Sequence, residues 1–163
     1  MPRALHIISK KAAPKEIIGH GDFQYSVDRD WGNLDPMSTP VKNCHEMVQD
    51  RFGRLIMITD ETKNNIIIYD KSGKYLGSWG NSFPDGHGLT ISDEGDAEYL
   101  WICDNGFGGN PQVVKTTLEG REVMRLPHPK ELGEYGETDN FHPTETAVAS
   151  NGDVYVADGY GSQ

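Results

Sequence analysis

Three histidines stand at matched distances ahead of an aspartate. His45, His87 and His142 precede Asp60, Asp104 and Asp158 by fifteen, seventeen and sixteen residues. After each histidine come a short apolar stretch, a polar turn, a stronger strand-like run and the aspartate. Tyr160 follows the last aspartate across a single glycine. Imidazoles that recur in register can converge. Three convergent imidazoles suit Zn²⁺, which takes nitrogen ligands at about 2.0–2.1 Å and keeps an open position when catalytic. A phenol beside a divalent cation has its pKa lowered, because the cation favours the phenolate. Tyr160 would then be placed to act as a general base. Plainer roles stand beside these: each histidine bonding a neighbouring segment or turn, and Tyr160 packing over a sheet edge. The three aspartates read more simply as strand-end acceptors for backbone N–H groups of the following turn. His6, His20 and His128 lie outside the register and carry no such expectation.

The elements that must position these groups form a repeat over residues 45–80, 87–126 and 142–163. The first unit holds strand candidates at 46–49, 54–59, 65–70 and 74–79, joined by turns reading DRFG, DETKN and DKSG. The second holds them at 88–92, 99–103, 112–117 and 121–126. Four strands in a step of about 40 to 50 residues predict a β-propeller blade. The longer step to the third unit holds a charged, turn-rich loop at 128–140. In a propeller the first strand of each blade lines the central channel, so the three histidines would ring one mouth of it.

The third unit shows only two strands, with Val154, Tyr155 and Val156 running into an Asp-Gly turn. The expected domain layout is an N-terminal segment, 1–41, followed by about two and a half blades over 42–163. One blade cannot bury its faces alone, and open edges invite association. The sequence therefore reads as a fragment of a longer protein or as half of an assembled six-bladed ring. The stretch DFQYSVDRDW, 22–31, alternates like a strand. It could supply an outer strand to the incomplete blade, in its own chain or in a partner's, which would make the assembly a homodimer.

Composition fits short strands and polar turns. Apolar residues make up 36% of the 163, with nineteen Gly and nine Pro between the apolar runs. The formal charge of −10 and the absence of a Lys/Arg run interleaved with aromatics argue against a nucleic-acid partner. The acidity reads first as solubility, and second as cation or metal binding. Cys44 and Cys103 are too few for a disulfide framework, and Cys103, inside the strand-like run LWICD, is expected to be buried and unpaired. The apolar patch near the N-terminus is too short for a signal peptide, and no run is long enough to span a membrane. As written, the chain reads as soluble and, by default, cytoplasmic.

The stretches HGLTISDEGDAEYLWICD and HPTETAVASNGDVYVADGYGSQ resemble the NHL-type propellers and, within them, the peptidyl-α-hydroxyglycine α-amidating lyases. The resemblance covers residues 45–163. It implies a zinc ligand at His87 and a catalytic base at Tyr160. The implied reaction cleaves a peptidyl-α-hydroxyglycine, or a related small α-hydroxy compound, and the family also binds a structural Ca²⁺, largely through backbone oxygens. The family's other two zinc histidines belong to later blades. Its substrate-binding arginine falls near residues 59–61, where this chain has Thr-Asp-Glu, and Arg51 and Arg54 lie on the wrong side of that strand. His142 stands where the family has an amide or other polar residue.

Three functions follow as alternatives. One is a zinc-dependent lyase-like protein, inactive as the isolated segment. Another is a non-catalytic propeller that binds a peptide or protein on its ring face. The third, a hydrolase or lactonase-type propeller with Ca²⁺ in the channel, calls for carboxylates and amides at the channel-facing strand starts, where this chain has histidine.

Overall fold

Alternating apolar residues broken by Gly- and Asp-bearing turns fold residues 16–162, the part described by this computed structural model, into twelve strands. His6 and the N-terminal apolar patch lie outside the described residues, as does Gln163. The described residues form two compact units, one ending at Trp31 and one beginning at Gly32. In the first unit, β1 (Glu16–His20) and β2 (Phe23–Val27) make an antiparallel hairpin. Gly21, at φ 56°, takes the turn position that disfavours other residues. The alternating stretch at 22–31 is thus a strand over Phe23–Val27, and its hydrogen-bonded partner is β1.

The second unit is built of blades. Blade 1 is an antiparallel meander of β3 (Cys44–Gln49), β4 (Leu55–Thr59), β5 (Ile66–Tyr69) and β6 (Tyr75–Trp79). Blade 2 repeats it with β7 (Gly86–Asp93), β8 (Glu98–Asp104), β9 (Gln112–Thr117) and β10 (Glu122–Arg125). The third sheet has two strands, β11 (Glu145–Val148) and β12 (Val154–Ala157). The expected all-β architecture of two full blades and a half blade is therefore present, and the sheets do not close a ring. The polar turns explain the strand ends. Asp50 Oδ1 accepts the N–H groups of Phe52 and Arg54 at 3.0 and 2.7 Å, and Asp70 does the same for Ser72 and Lys74. Each loop closes on a glycine in the left-handed region, Gly53 and Gly73.

The inner strands β3, β7 and β11 lie side by side, with β7 in the middle. Between blades 1 and 2 the alternating faces meet in a cluster that includes Ile56, Ile58, Leu89, Leu100 and Ile102. A smaller cluster of Trp101, Cys103 and Val113 faces blade 3 and is partly covered by Val148, Val154 and Val156. Cys103 is buried and free, as expected, and Cys44 is free and exposed. Among the described residues no helix is long and apolar enough to cross a membrane.

Candidate functional site

Each repeated aspartate ties the end of a second strand to the approach of the first. Asp60 Oδ1 accepts the Asn43 N–H at 2.8 Å, Asp104 Oδ2 the Asp85 N–H at 3.3 Å, and Asp158 Oδ1 the His142 N–H at 2.6 Å. Asp104 also bonds the turn that follows it, through the Gly106 N–H. By this pattern His142 corresponds to Asn43 and Asp85. His45 and His87 lie two residues further on, inside β3 and β7. Both sit where the strand register slips, between Cys44 and Glu46 and between Gly86 and Gly88. Such bulges re-aim a side chain, which accounts for two histidines leaving the alternation of their strands.

The result is a pocket of about 280 Å³ that contains His45, His87 and Tyr160. The rings of His45 and His87 stack at 4.3 Å, and Tyr160 meets His87 edge-on at 5.6 Å. His87 Nδ1 donates to the Thr144 carbonyl at 3.0 Å, which leaves Nε2 as the lone-pair nitrogen. The limited burial of the His45 ring, and next the adjacent His87, lower the His45 pKa against the pull of Asp60. Asp60, Asp85, Asn43 and Asn105 supply the polar wall. Among the described residues neither arginine nor lysine lines it. Lys42 Nζ, just outside, stands 3.7 Å from Asp60 Oδ2. Arg51 and Arg54 pair elsewhere, with Asp93 and Glu98 and with Asp50.

His142 is not part of this pocket. Its Nδ1 donates to the Asn105 carbonyl at 2.6 Å, and its ring stacks on Phe107 at 4.6 Å. Phe107 is a site residue that sequence reading missed. It rides on the loop NGFGGNP after Asp104, is 63% exposed, and lies 5.6 Å from Tyr160. The Gly108 N–H fastens that loop to Asp85 Oδ2. The signal available was a glycine-rich turn directly after a strand-end aspartate.

A second feature that the sequence did not reveal links all three inner strands. Glu46 of β3 accepts the Leu89 N–H of β7 at 3.1 Å and shares a hydrogen bond with Glu145 of β11. Glu145 Oε1 lies 2.7 Å from Thr90 Oγ1 and from the Thr146 N–H. Burial, and then the bond to Glu145, push Glu46 up to about 7. Burial also pushes Glu145 upward, but the bonds from Glu46, Thr90 and Thr146 and the field of His87 outweigh it, and its pKa falls. Those opposite shifts favour one proton shared between the two carboxyl groups at mildly acidic pH.

His87, with its tautomer fixed by a carbonyl, suits a metal ligand. Stacked rings, by contrast, do not aim two nitrogens at one point. Among the described residues no three His, Cys, Asp or Glu side chains gather closely enough to hold a metal. A zinc centre here would draw further ligands from outside them.

No protein-family model matches the chain. A Caenorhabditis elegans protein named probable peptidyl-α-hydroxyglycine α-amidating lyase is 31% identical over 119 residues, which are 72% of this chain and 31% of that protein. Human NHL repeat-containing protein 3 is 27% identical over 142 residues, 84% of this chain and 40% of its own length. The mouse protein of the same name is 24% identical over 144 residues, 86% of this chain and 41% of its own. The chain thus spans about a third to two fifths of the curated relatives it matches. Blades and relatives agree on a partial β-propeller of NHL type.

Proposed function

We propose that the pocket at the start of the inner strands is part of a metal-assisted proton-abstraction site, lyase-like in outline. His87 would hold zinc through Nε2, and Tyr160 would be the base. The observation that carries this reading is the meeting of His87 and Tyr160 in one pocket, with His87 Nδ1 committed to Thr144. Zinc, when bound, would act as a Lewis acid toward a substrate oxygen. Tyr160 would take the hydroxyl proton of an α-hydroxy substrate. Phe107 would flank the phenol on one side, leaving it open to substrate. Asp60 and Asp85 disfavour an anionic end of the substrate, so a neutral or cationic α-hydroxy compound fits better than a carboxylate.

Metal content per chain, measured by elemental analysis on protein free of tags and chelators, tests this. With whatever segment supplies the remaining ligands in place, near-stoichiometric zinc is expected, lost in His87→Ala and kept in His142→Ala. No zinc in the unmodified protein would overturn the proposal. A second reading would then take its place, a non-catalytic module that binds a cation-bearing peptide. It is favoured by the two carboxylates that line the pocket, Asp60 and Asp85.

A further inference from the structure

Tyr160 meets His87 in the pocket, yet packing does not hold it there. Tyr160 is 54% exposed, and the rings beside it, those of His87 and the open Phe107, stand 5.6 Å away. A phenol that takes a proton must stand within hydrogen-bond reach of it, and a misplacement of about 1 Å can cost on the order of a hundredfold in rate. Something other than a core must fix the turn Asp158-Gly159-Tyr160.

The turn is gripped on both sides of Tyr160. Ahead of it, Asp158 Oδ1 accepts the His142 N–H, and Asp158 Oδ2 accepts the Tyr135 hydroxyl at 2.6 Å. Beyond it, the Ser162 N–H donates to the Asn140 carbonyl at 2.9 Å, and Ser162 Oγ accepts the Asn140 N–H at 2.8 Å. Gly159, between the grips, lies so close to Thr144 that a Cβ would come within 2.5 Å of its Oγ1. Gly161 has no room for a Cβ beside the Asp158 carboxylate. Thr144 is also the residue whose carbonyl takes His87 Nδ1. Histidine and tyrosine are therefore referred to one point of the fold.

Tyr135 and Asn140 belong to the charged loop 128–140. Residues 80–85 suffice to connect blade 1 to blade 2, so the blade repeat does not require so long a connection here. Connections longer than about 12–15 residues are usually functional when they are ordered. This one is ordered by its own bonds. The Gly136 N–H donates to Asp139 Oδ2 at 2.7 Å, Lys130 Nζ donates to the Glu137 carbonyl at 3.0 Å, and the Tyr135 ring meets Phe141 edge-on at 6.2 Å. The bond to Asp158 holds the Tyr135 phenol above its ordinary range. At Asp60 the second oxygen takes Asn43 Nδ2 instead, so the repeat alone does not ask for Tyr135. We infer that Tyr135 is a positioning residue for Tyr160. Acting through Asp158, with Asn140 and Ser162 as the second grip, it sets the phenol against His87. The catalytic weight of this clamp rests on the reading of Tyr160 as the base, whereas the placement itself does not.

Nuclear magnetic resonance on the 163-residue chain, with ring-labelled tyrosine and histidine, tests this through the Overhauser contact between the Tyr160 and His87 rings. Tyr135→Phe keeps the ring against Phe141 and deletes only the hydroxyl. It should lose most of that contact and move the Tyr160 ring signals toward those of an unstructured peptide, with the amide shifts of blades 1 and 2 unchanged. Ser162→Ala removes the Oγ acceptor but keeps the N–H, so it should weaken the contact in the same direction and by less. An undiminished contact in Tyr135→Phe overturns the inference, as does its absence from the unmodified chain. A change that spreads through both blades overturns it too, because Tyr135 would then hold the fold in general. Zinc content separates this inference from the reading it rests on. A chain that binds no zinc but loses the ring contact in Tyr135→Phe ends the catalytic reading and upholds the positioning.

Discussion

Blade 1 meets blade 2, and blade 2 meets blade 3, through sheets of the same alternating design, yet the two interfaces differ in depth. The first buries nine apolar side chains in one cluster, and the second buries three. The inner strands are comparable in both, so the outer strands make the difference. At the first interface β5 contributes Ile66, and Trp79 of β6 donates its Nε1–H to the Leu118 carbonyl at 3.0 Å. Even Gly120 belongs to that fit, since a Cβ there would come within 2.6 Å of the Trp79 ring. At the second interface Trp101 has no acceptor among the described residues, and a groove of about 760 Å³ beside Trp101, Leu126 and Val154 stays open. Stability in this unit is therefore expected to concentrate between blades 1 and 2.

The sharpest way to break this contrast is to truncate one residue on each side. Leu89, 1% exposed in the first cluster, should cost about 2–5 kcal/mol when changed to alanine. Val156→Ala at the half-covered interface should cost less than about 1 kcal/mol, because its site already opens to solvent. Urea unfolding of both variants measures this, and equal losses would mean the interfaces are energetically alike. Asn65 offers a polar version of the same test. Its fully buried amide donates to the Thr59 and Phe83 carbonyls and accepts the Phe83 N–H, tying blade 1 to the segment that leads into blade 2. Asn65→Ala should lose about 2–4 kcal/mol in the same measurement, because buried backbone groups lose their partners.

The repeat was legible because strand alternation and Asp/Gly turns are local signals. β4 and β9 fall within a residue of where the sequence placed them. The site was legible only in part. His87, His45 and Tyr160 do meet, but His142 does not join them, because an even count of residues hides the bulges at His45 and His87. Spacing to an aspartate grouped three histidines that the hydrogen bonds separate. Glu46 and Glu145 were invisible for another reason. They stand 99 positions apart and meet only when β3, β7 and β11 align.

That carboxyl pair crosses both interfaces and gives the contrast a pH dependence. Glu46 is held protonated in the folded chain up to about 7, against an ordinary 4.5. Between these values the folded state keeps a proton that the unfolded chain has released, so stability should fall as pH rises through the window. The groups facing the pair are His87 and Cys103, and the lowered pKa of Glu145 adds stability that is lost only at more acidic pH. Glu46→Gln keeps a neutral donor for Glu145 and cannot titrate. Thermal unfolding from pH 4.5 to 7 should show a declining midpoint for the unmodified chain and a flatter one for Glu46→Gln. Parallel slopes would remove the pair from the account.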